Sequence, residues 1–158
     1  ISGRGVSLAT LHGDPGIMQA AAQEAGDCNL LAVTALTSLS QEDLQLMGIH
    51  VSLEEFVLQR ARAAQETGLQ GVVCSPREVG LLRRELGWGL RVVTPGVRLA
   101  SHKTGDDDQK RVATPQAAIA QGADHVVMGR PIRLAQDPLA TARKVLADIE
   151  TALEHPQS

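Results

Sequence analysis

The sequence predicts an α/β fold built on a parallel sheet. Five short aliphatic runs alternate with segments of helical apolar spacing, an order that favours parallel strands joined by right-handed crossovers. The runs are rich in Val, Leu, Ala and Gly with hardly an aromatic, as strands are when both of their faces are buried. The last run stops at Gly129, within Gly122-Ala-Asp-His-Val-Val-Met-Gly-Arg-Pro-Ile132, and turns straight into helix-compatible sequence.

The elements follow from local signals. Val6–Leu11 is the first strand-like run, and Pro15–Ala25 has helical apolar spacing. Leu30–Ala35 is the second strand, followed by a short helix over Gln41–Met47. Ser52, with Glu55 three residues on, reads as a capping box that opens a helix over Leu53–Thr67, and Gly68 closes it. Gly71–Cys74 is the third strand, and an amphipathic helix over Pro76–Leu86 ends at Gly87. Leu90–Thr94 is the fourth strand. Thr114-Pro115 supplies an N-cap with proline at the first helical position, and Gly122 ends that helix. Asp124–Met128 is the fifth strand, and Asp137-Pro138 opens a last helix to about Leu153. Gly96 to Ala113 is too long for a plain turn, and loops of that length are often lids or binding loops.

Composition narrows the function classes. A chain of 158 residues suffices for one domain with its own core, and no second domain is expected within residues 1–158. Phe56 and Trp88 are the only aromatics, which argues against stacking of single-stranded nucleic acid. A net charge of −3 offers no basic field for DNA or an acidic membrane surface. Cys28 and Cys74 both neighbour apolar runs and are expected to pack as small hydrophobes, in keeping with a reducing cytoplasm. No apolar run approaches the roughly 20 residues of a membrane span, and no secretory leader is recognisable. The chain starts at Ile1 and runs almost at once into a strand, so the natural amino terminus is expected to lie upstream.

Five βα units do not close an eight-stranded barrel, which usually takes about 200–250 residues. Two architectures fit: a small open sheet, or the second part of a (β/α)8 barrel. In the barrel, active groups sit at the carboxyl ends of strands. That rule selects His12, Gly13 and Asp14, then Thr37 and Ser38, then Ser75, then Pro95, Gly96, Arg98 and the long loop with Gln109, and finally Gly129 and Arg130. The set is poor in general acids and bases but suited to a phosphorylated, carbonyl-rich ligand. Gly129 allows close approach of the backbone, the amides after it lack helical partners, and Arg98 and Arg130 present planar forks of donors. Gln109 offers both a donor and an acceptor.

Each of these has a plainer alternative. The alternative for Arg130 is a surface ion-pair partner, and for Arg98 and Gln109 solvated loop residues. Thr37-Ser38 reads as the N-cap of the short helix after it, and His12 as a packed or hydrogen-bonded strand-end residue. The five histidines lack metal-ligand spacing, so no metal is expected. There is no G-x-S-x-G elbow, Walker loop or G-x-G-x-x-G.

Taken together, Leu30-Leu-Ala-Val-Thr-Ala-Leu-Thr-Ser38, Gly71-Val-Val-Cys-Ser75, Val92-Val-Thr-Pro-Gly-Val-Arg98, Asp108-Gln-Lys-Arg-Val-Ala-Thr-Pro115 and Val127-Met-Gly-Arg-Pro-Ile132 resemble the bacterial orotidine 5′-phosphate decarboxylases in order and spacing. The combination is specific, although each piece alone is weak. The resemblance spans about Val6 to the last helix. It implies a homodimeric (β/α)8 barrel, of which this chain carries about the last five units. It also implies a nucleotide substrate, orotidine 5′-phosphate, and no metal or organic cofactor. Thr37 would bond the pyrimidine, with Pro95 packed near it. Arg98 and Gln109 would belong to the closing loop, and Gly129 and Arg130 would hold the phosphate.

One departure is large. The family's D-x-K-x-x-D motif is absent, so the chain is expected to contain no catalytic residue and to be inactive alone. Asp108-Gln-Lys110 begins like the motif, but Ala113 stands where its last aspartate belongs. Leu11-His-Gly-Asp-Pro-Gly16 also departs from the family's usual small-residue turn. Other readings are a different phosphate-binding barrel, of the sugar-phosphate epimerase or hexulose-phosphate synthase type, or a non-catalytic nucleotide-phosphate binding module.

Overall fold

The computed structural model describes residues 3–99 and 113–154. Five strands form one parallel sheet: β1 (Leu8–His12), β2 (Asn29–Val33), β3 (Gly71–Val73), β4 (Arg91–Thr94) and β5 (His125–Val126). Each pairs with its sequence neighbour, in the order β1-β2-β3-β4-β5. The helices are α1 (Pro15–Glu24), α2 (Gln41–Leu46), α3 (Leu53–Glu66), α4 (Val79–Leu86), α5 (Pro115–Ala120), α6 (Arg130–Arg133) and α7 (Pro138–Glu154). A 3₁₀ turn over Pro76–Glu78 precedes α4. Consecutive parallel neighbours, each followed by helix, are the arrangement of a partial (β/α)8 barrel. All five expected strands are present, with no end shifted by more than two residues.

The core lies between the sheet and the helices. Ala32, Val72 and Val92 contribute its strand side, and Met18, Val57, Ala61, Val79 and Ala118 its helix side, all at most 1% exposed. Cys28 and Cys74 are buried free thiols, as their apolar surroundings suggested.

Helix starts follow cap chemistry. Asp14 accepts from the amides of Gly16 and Ile17 at the head of α1, Thr114 from Ala117 at α5, and Asp137 from Ala140 at α7. The expected box at Ser52 is one-sided. Ser52 caps the Glu55 amide, while the Glu55 carboxylate accepts from Gln59 Nε2 at 2.9 Å. Two full capping boxes were missed, Ser40 with Asp43 at α2 and Ser75 with Glu78 at the 3₁₀ turn. The second is buried, and it makes Ser75 a cap for its own turn. Ser40, and not Thr37-Ser38, is thus the N-cap of α2.

The amino ends of β4 and β5 are joined by a buried cation. Arg83 of α4 donates from Nε to the Gly122 carbonyl and from Nη1 to the Leu90 carbonyl, each at 2.8 Å, and from Nη2 to Asp124 Oδ2 at 2.6 Å. The same carboxylate oxygen accepts the Val92 amide at 2.6 Å. Trp88 lies against this guanidinium, 4.4 Å from ring centroid to Cζ. This lattice sets how β4 and β5 lie together at the end opposite the cleft described below.

Candidate functional site

Two chain segments meet beyond the carboxyl ends of β4 and β5. The first leaves β4 at Thr94, whose buried hydroxyl donates to the His125 carbonyl at 3.3 Å. Pro95 follows, and then Gly96, whose φ of 76° lies in the left-handed region that a side chain disfavours. That turn buries Val97 and presents Arg98, which is half-buried. The Arg98 amide donates to the Ala113 carbonyl at 2.9 Å, which joins the exit of β4 to the residue just before the α5 cap. The second segment continues from β5, where the Val127 amide donates to the Thr94 carbonyl at 2.8 Å, and reaches Gly129 and α6.

Pro95, Gly96, Val97 and Arg98 from one side and Val127, Gly129, Arg130 and Pro131 from the other line a cleft of about 230 Å³. None of these described lining residues is acidic, and two of them are arginines. The arrangement suits an anion with several acceptor oxygens, because the guanidinium fork matches phosphate geometry. A Cβ built on Gly129 meets nothing within 4 Å. Packing among the described residues therefore does not require glycine there, and Gly129 lines the cleft.

One expectation about this turn needs correction. The amides after Gly129 are not all open to a ligand. Pro131 has no N–H, and the amides of Ile132 and Arg133 donate to the Gly129 carbonyl at 3.1 and 3.0 Å. The carbonyl folds back to close the short helix α6.

The remaining expected site residues lie elsewhere. Thr37 is half-buried in the turn in which the Leu39 amide donates to the Leu36 carbonyl at 3.0 Å, past the end of β2. It shares the carboxyl face of the sheet with the cleft but does not line it. His12 is the last residue of β1 and is exposed, which rules out the packed one of the two roles expected of it, packed or hydrogen-bonded. Gln109 and Lys110 lie outside the described residues. Val97, Val127 and Pro131 were missed, since apolar cleft walls carry no chemical signature in a sequence. Among the described residues, no cluster of three or more His, Cys, Asp or Glu is placed to hold a metal. Among the same residues, no helix is long and apolar enough to cross a membrane.

Known proteins with similar sequences and folds agree with one another. The chain is 49% identical over 149 residues to the orotidine 5′-phosphate decarboxylase of Methylococcus capsulatus, covering 94% of this chain and 61% of that protein. It is 45% identical over 151 residues to the enzyme of the same name from Idiomarina loihiensis, covering 92% and 64%. Its fold superposes on the crystal structure of orotidine 5′-phosphate decarboxylase from Lactobacillus acidophilus with a TM-score of 0.76 at 31% identity, covering 92% of this chain and 64% of that one. The chain thus spans a little over three-fifths of the length of these relatives. Residues 1–145 match the family model described as orotidine 5′-phosphate decarboxylase / HUMPS, and the chain belongs to that family.

Proposed function

We propose that these five βα units are the carboxy-terminal part of a single-domain orotidine 5′-phosphate decarboxylase, and that their cleft grips the substrate's 5′-phosphate. The observation that carries this reading is the meeting of Arg98 and Arg130, from two separate chain segments, in one cleft whose described lining residues include no carboxylate. It is supported by 49% identity to a decarboxylase.

The reaction removes CO2 from carbon 6 of the pyrimidine and gives UMP, the last step of de novo pyrimidine nucleotide synthesis. No cofactor delocalises the carbanion. Grip on the distant phosphate then serves closure and orientation, so that interactions at the reacting carbon are strongest in the transition state. In this reading Thr37 bonds the pyrimidine edge, Pro95 packs near it, Arg98 and Arg130 take the phosphate, and Gly129 leaves room for it. Gln109, outside the described residues, would add a contact from segment 100–112. None of the 158 residues is assigned the proton-donating or carboxylate-facing role, because the D-x-K-x-x-D motif is not among them. The complete enzyme would be a cytoplasmic homodimer.

The test compares orotidine 5′-phosphate with its phosphate-free nucleoside, in the complete enzyme and in its Arg130→Ala variant. Loss of a charge-assisted contact of about 1.5–3 kcal/mol should lower kcat/KM for the nucleotide roughly 10- to 150-fold. The nucleoside reaction should be unchanged, since the deleted contact is absent from it. Equal losses on both substrates would show that Arg130 supports the fold and does not bind phosphate. Turnover of a hexulose phosphate in place of the nucleotide would move the chain to the other reaction.

A further inference from the structure

Arg60 of α3 reaches across to the carboxyl ends of β1 and β2. Its Nη1 donates to the Thr34 carbonyl at 2.9 Å. Its Cδ lies 3.5 Å from where a Cβ on Gly13 would stand, and its Cζ is 4.3 Å from the centroid of the Phe56 ring. Burial pushes the guanidinium below its ordinary pKa, and the carboxylate of Asp14, the cap of α1, pushes it back up. An arginine under these influences stays charged.

The place is specific. The Gly13 amide donates to the Val33 carbonyl at 3.0 Å, and a Cβ on Gly13 would come within 2.5 Å of that oxygen. Glycine is therefore what lets β1 hand over to α1 against β2, and it keeps a lane open for the Arg60 stem. Thr34 is the first residue past β2 and is fully buried. Its amide and hydroxyl both go to the Val73 carbonyl at 3.0 Å. The Thr34 carbonyl lies past the end of the strand, and the Arg60 guanidinium donates to it. Three residues later the chain reaches Thr37.

We propose that Arg60 is a positioning residue: by clamping the Thr34 carbonyl under the Gly13 turn, it fixes the exit of β2 and so aims Thr37 at the pyrimidine. This rests on the function proposed above. A guanidinium suits the task because its planar fork can hold a carbonyl while the stem packs against glycine and an aromatic ring.

The test uses ligands that separate the two halves of the nucleotide. In the complete enzyme, titration calorimetry is run with uridine 5′-phosphate and with ribose 5-phosphate, which lacks the base. Loss of the Thr37 contact to the base is the loss of one buried hydrogen bond, so Arg60→Ala should weaken uridine 5′-phosphate by about 5- to 100-fold. Ribose 5-phosphate affinity should stay unchanged. Arg60→Lys keeps a cationic donor and should recover most of the loss. It also carries the comparison should the alanine variant not fold. Hydrogen exchange on the 158-residue chain should show faster exchange over residues 34–39 in Arg60→Ala, with residues 91–94 unaffected. Equal weakening of both ligands, or exchange raised across the whole sheet, would make Arg60 a general stabiliser and overturn the proposal. An unmodified enzyme that binds the two ligands equally would instead sink the pyrimidine role of Thr37, and the positioning role with it.

Discussion

Removing either partner of the Arg83–Asp124 lattice should loosen the β4–β5 pairing that holds the cleft. The Arg83 side chain is only 7% exposed, and it serves the carbonyls of Gly122 and Leu90 as well as the Asp124 carboxylate. Arg83→Met keeps most of the stem but leaves both carbonyls without that donor and the carboxylate without its cation. Breaking a buried pair from one side costs about 3–5 kcal/mol, and Arg83→Met should fall in that range. The Asp124 side chain is 37% exposed, so solvent screens part of its effect. Asp124→Ala should therefore cost less, about 2–3 kcal/mol, by orphaning the guanidinium and the Val92 amide. Asp124→Asn keeps an acceptor for Val92 and should cost about 1 kcal/mol.

The assay is urea unfolding followed by far-ultraviolet circular dichroism. With m of about 1–3 kcal/mol/M, a loss of about 3 kcal/mol lowers the midpoint by roughly 1–3 M at constant m. The order of loss should be Arg83→Met, then Asp124→Ala, then Asp124→Asn. If Asp124→Ala shifts the midpoint no more than a substitution at an exposed position of α7, the lattice does not hold the sheet together and the reasoning fails.

Three further outcomes are expected. The 158-residue chain by itself should not decarboxylate orotidine 5′-phosphate; turnover that disappears in Lys110→Ala would reverse that view. In the complete enzyme, Gln109→Ala should lower kcat/KM by about 1.5–3 kcal/mol, the scale of a hydrogen bond to a charged group, and an unchanged value would remove Gln109 from the site. Gly96→Ala places a side chain at a φ of 76° and should cost about 1–2 kcal/mol of stability while weakening phosphate affinity. A stabilised variant with intact affinity would mean the turn relaxes without moving Arg98.

The sequence by itself determined the order and kind of the main elements and the small-hydrophobe role of the two cysteines. These depend on interactions over a few residues: apolar spacing, a cap and its amide, a proline at the first turn, a glycine past the last. It also pointed to the family, because Val-Thr-Pro-Gly-Val-Arg98 and Gly129-Arg-Pro-Ile132 are contiguous strings. It placed Arg98 and Arg130 on the same list, yet it could not say that they border one cleft, nor that Thr37 stands apart from it. Those facts follow from β4 lying beside β5 while β2 lies two strands away from β4. The one-sided cap at Ser52 and the true cap at Ser40 were decided by competition, since each side chain takes the partner that the packed backbone brings within reach. The amides after Gly129 were misjudged for a similar reason: the Gly129 carbonyl folds back to accept two of them. Arg60 and Arg83 left no trace in the sequence at all. Their partners include the backbone carbonyls of Thr34, Gly122 and Leu90, which every residue type carries alike, so only the tertiary fold could single them out.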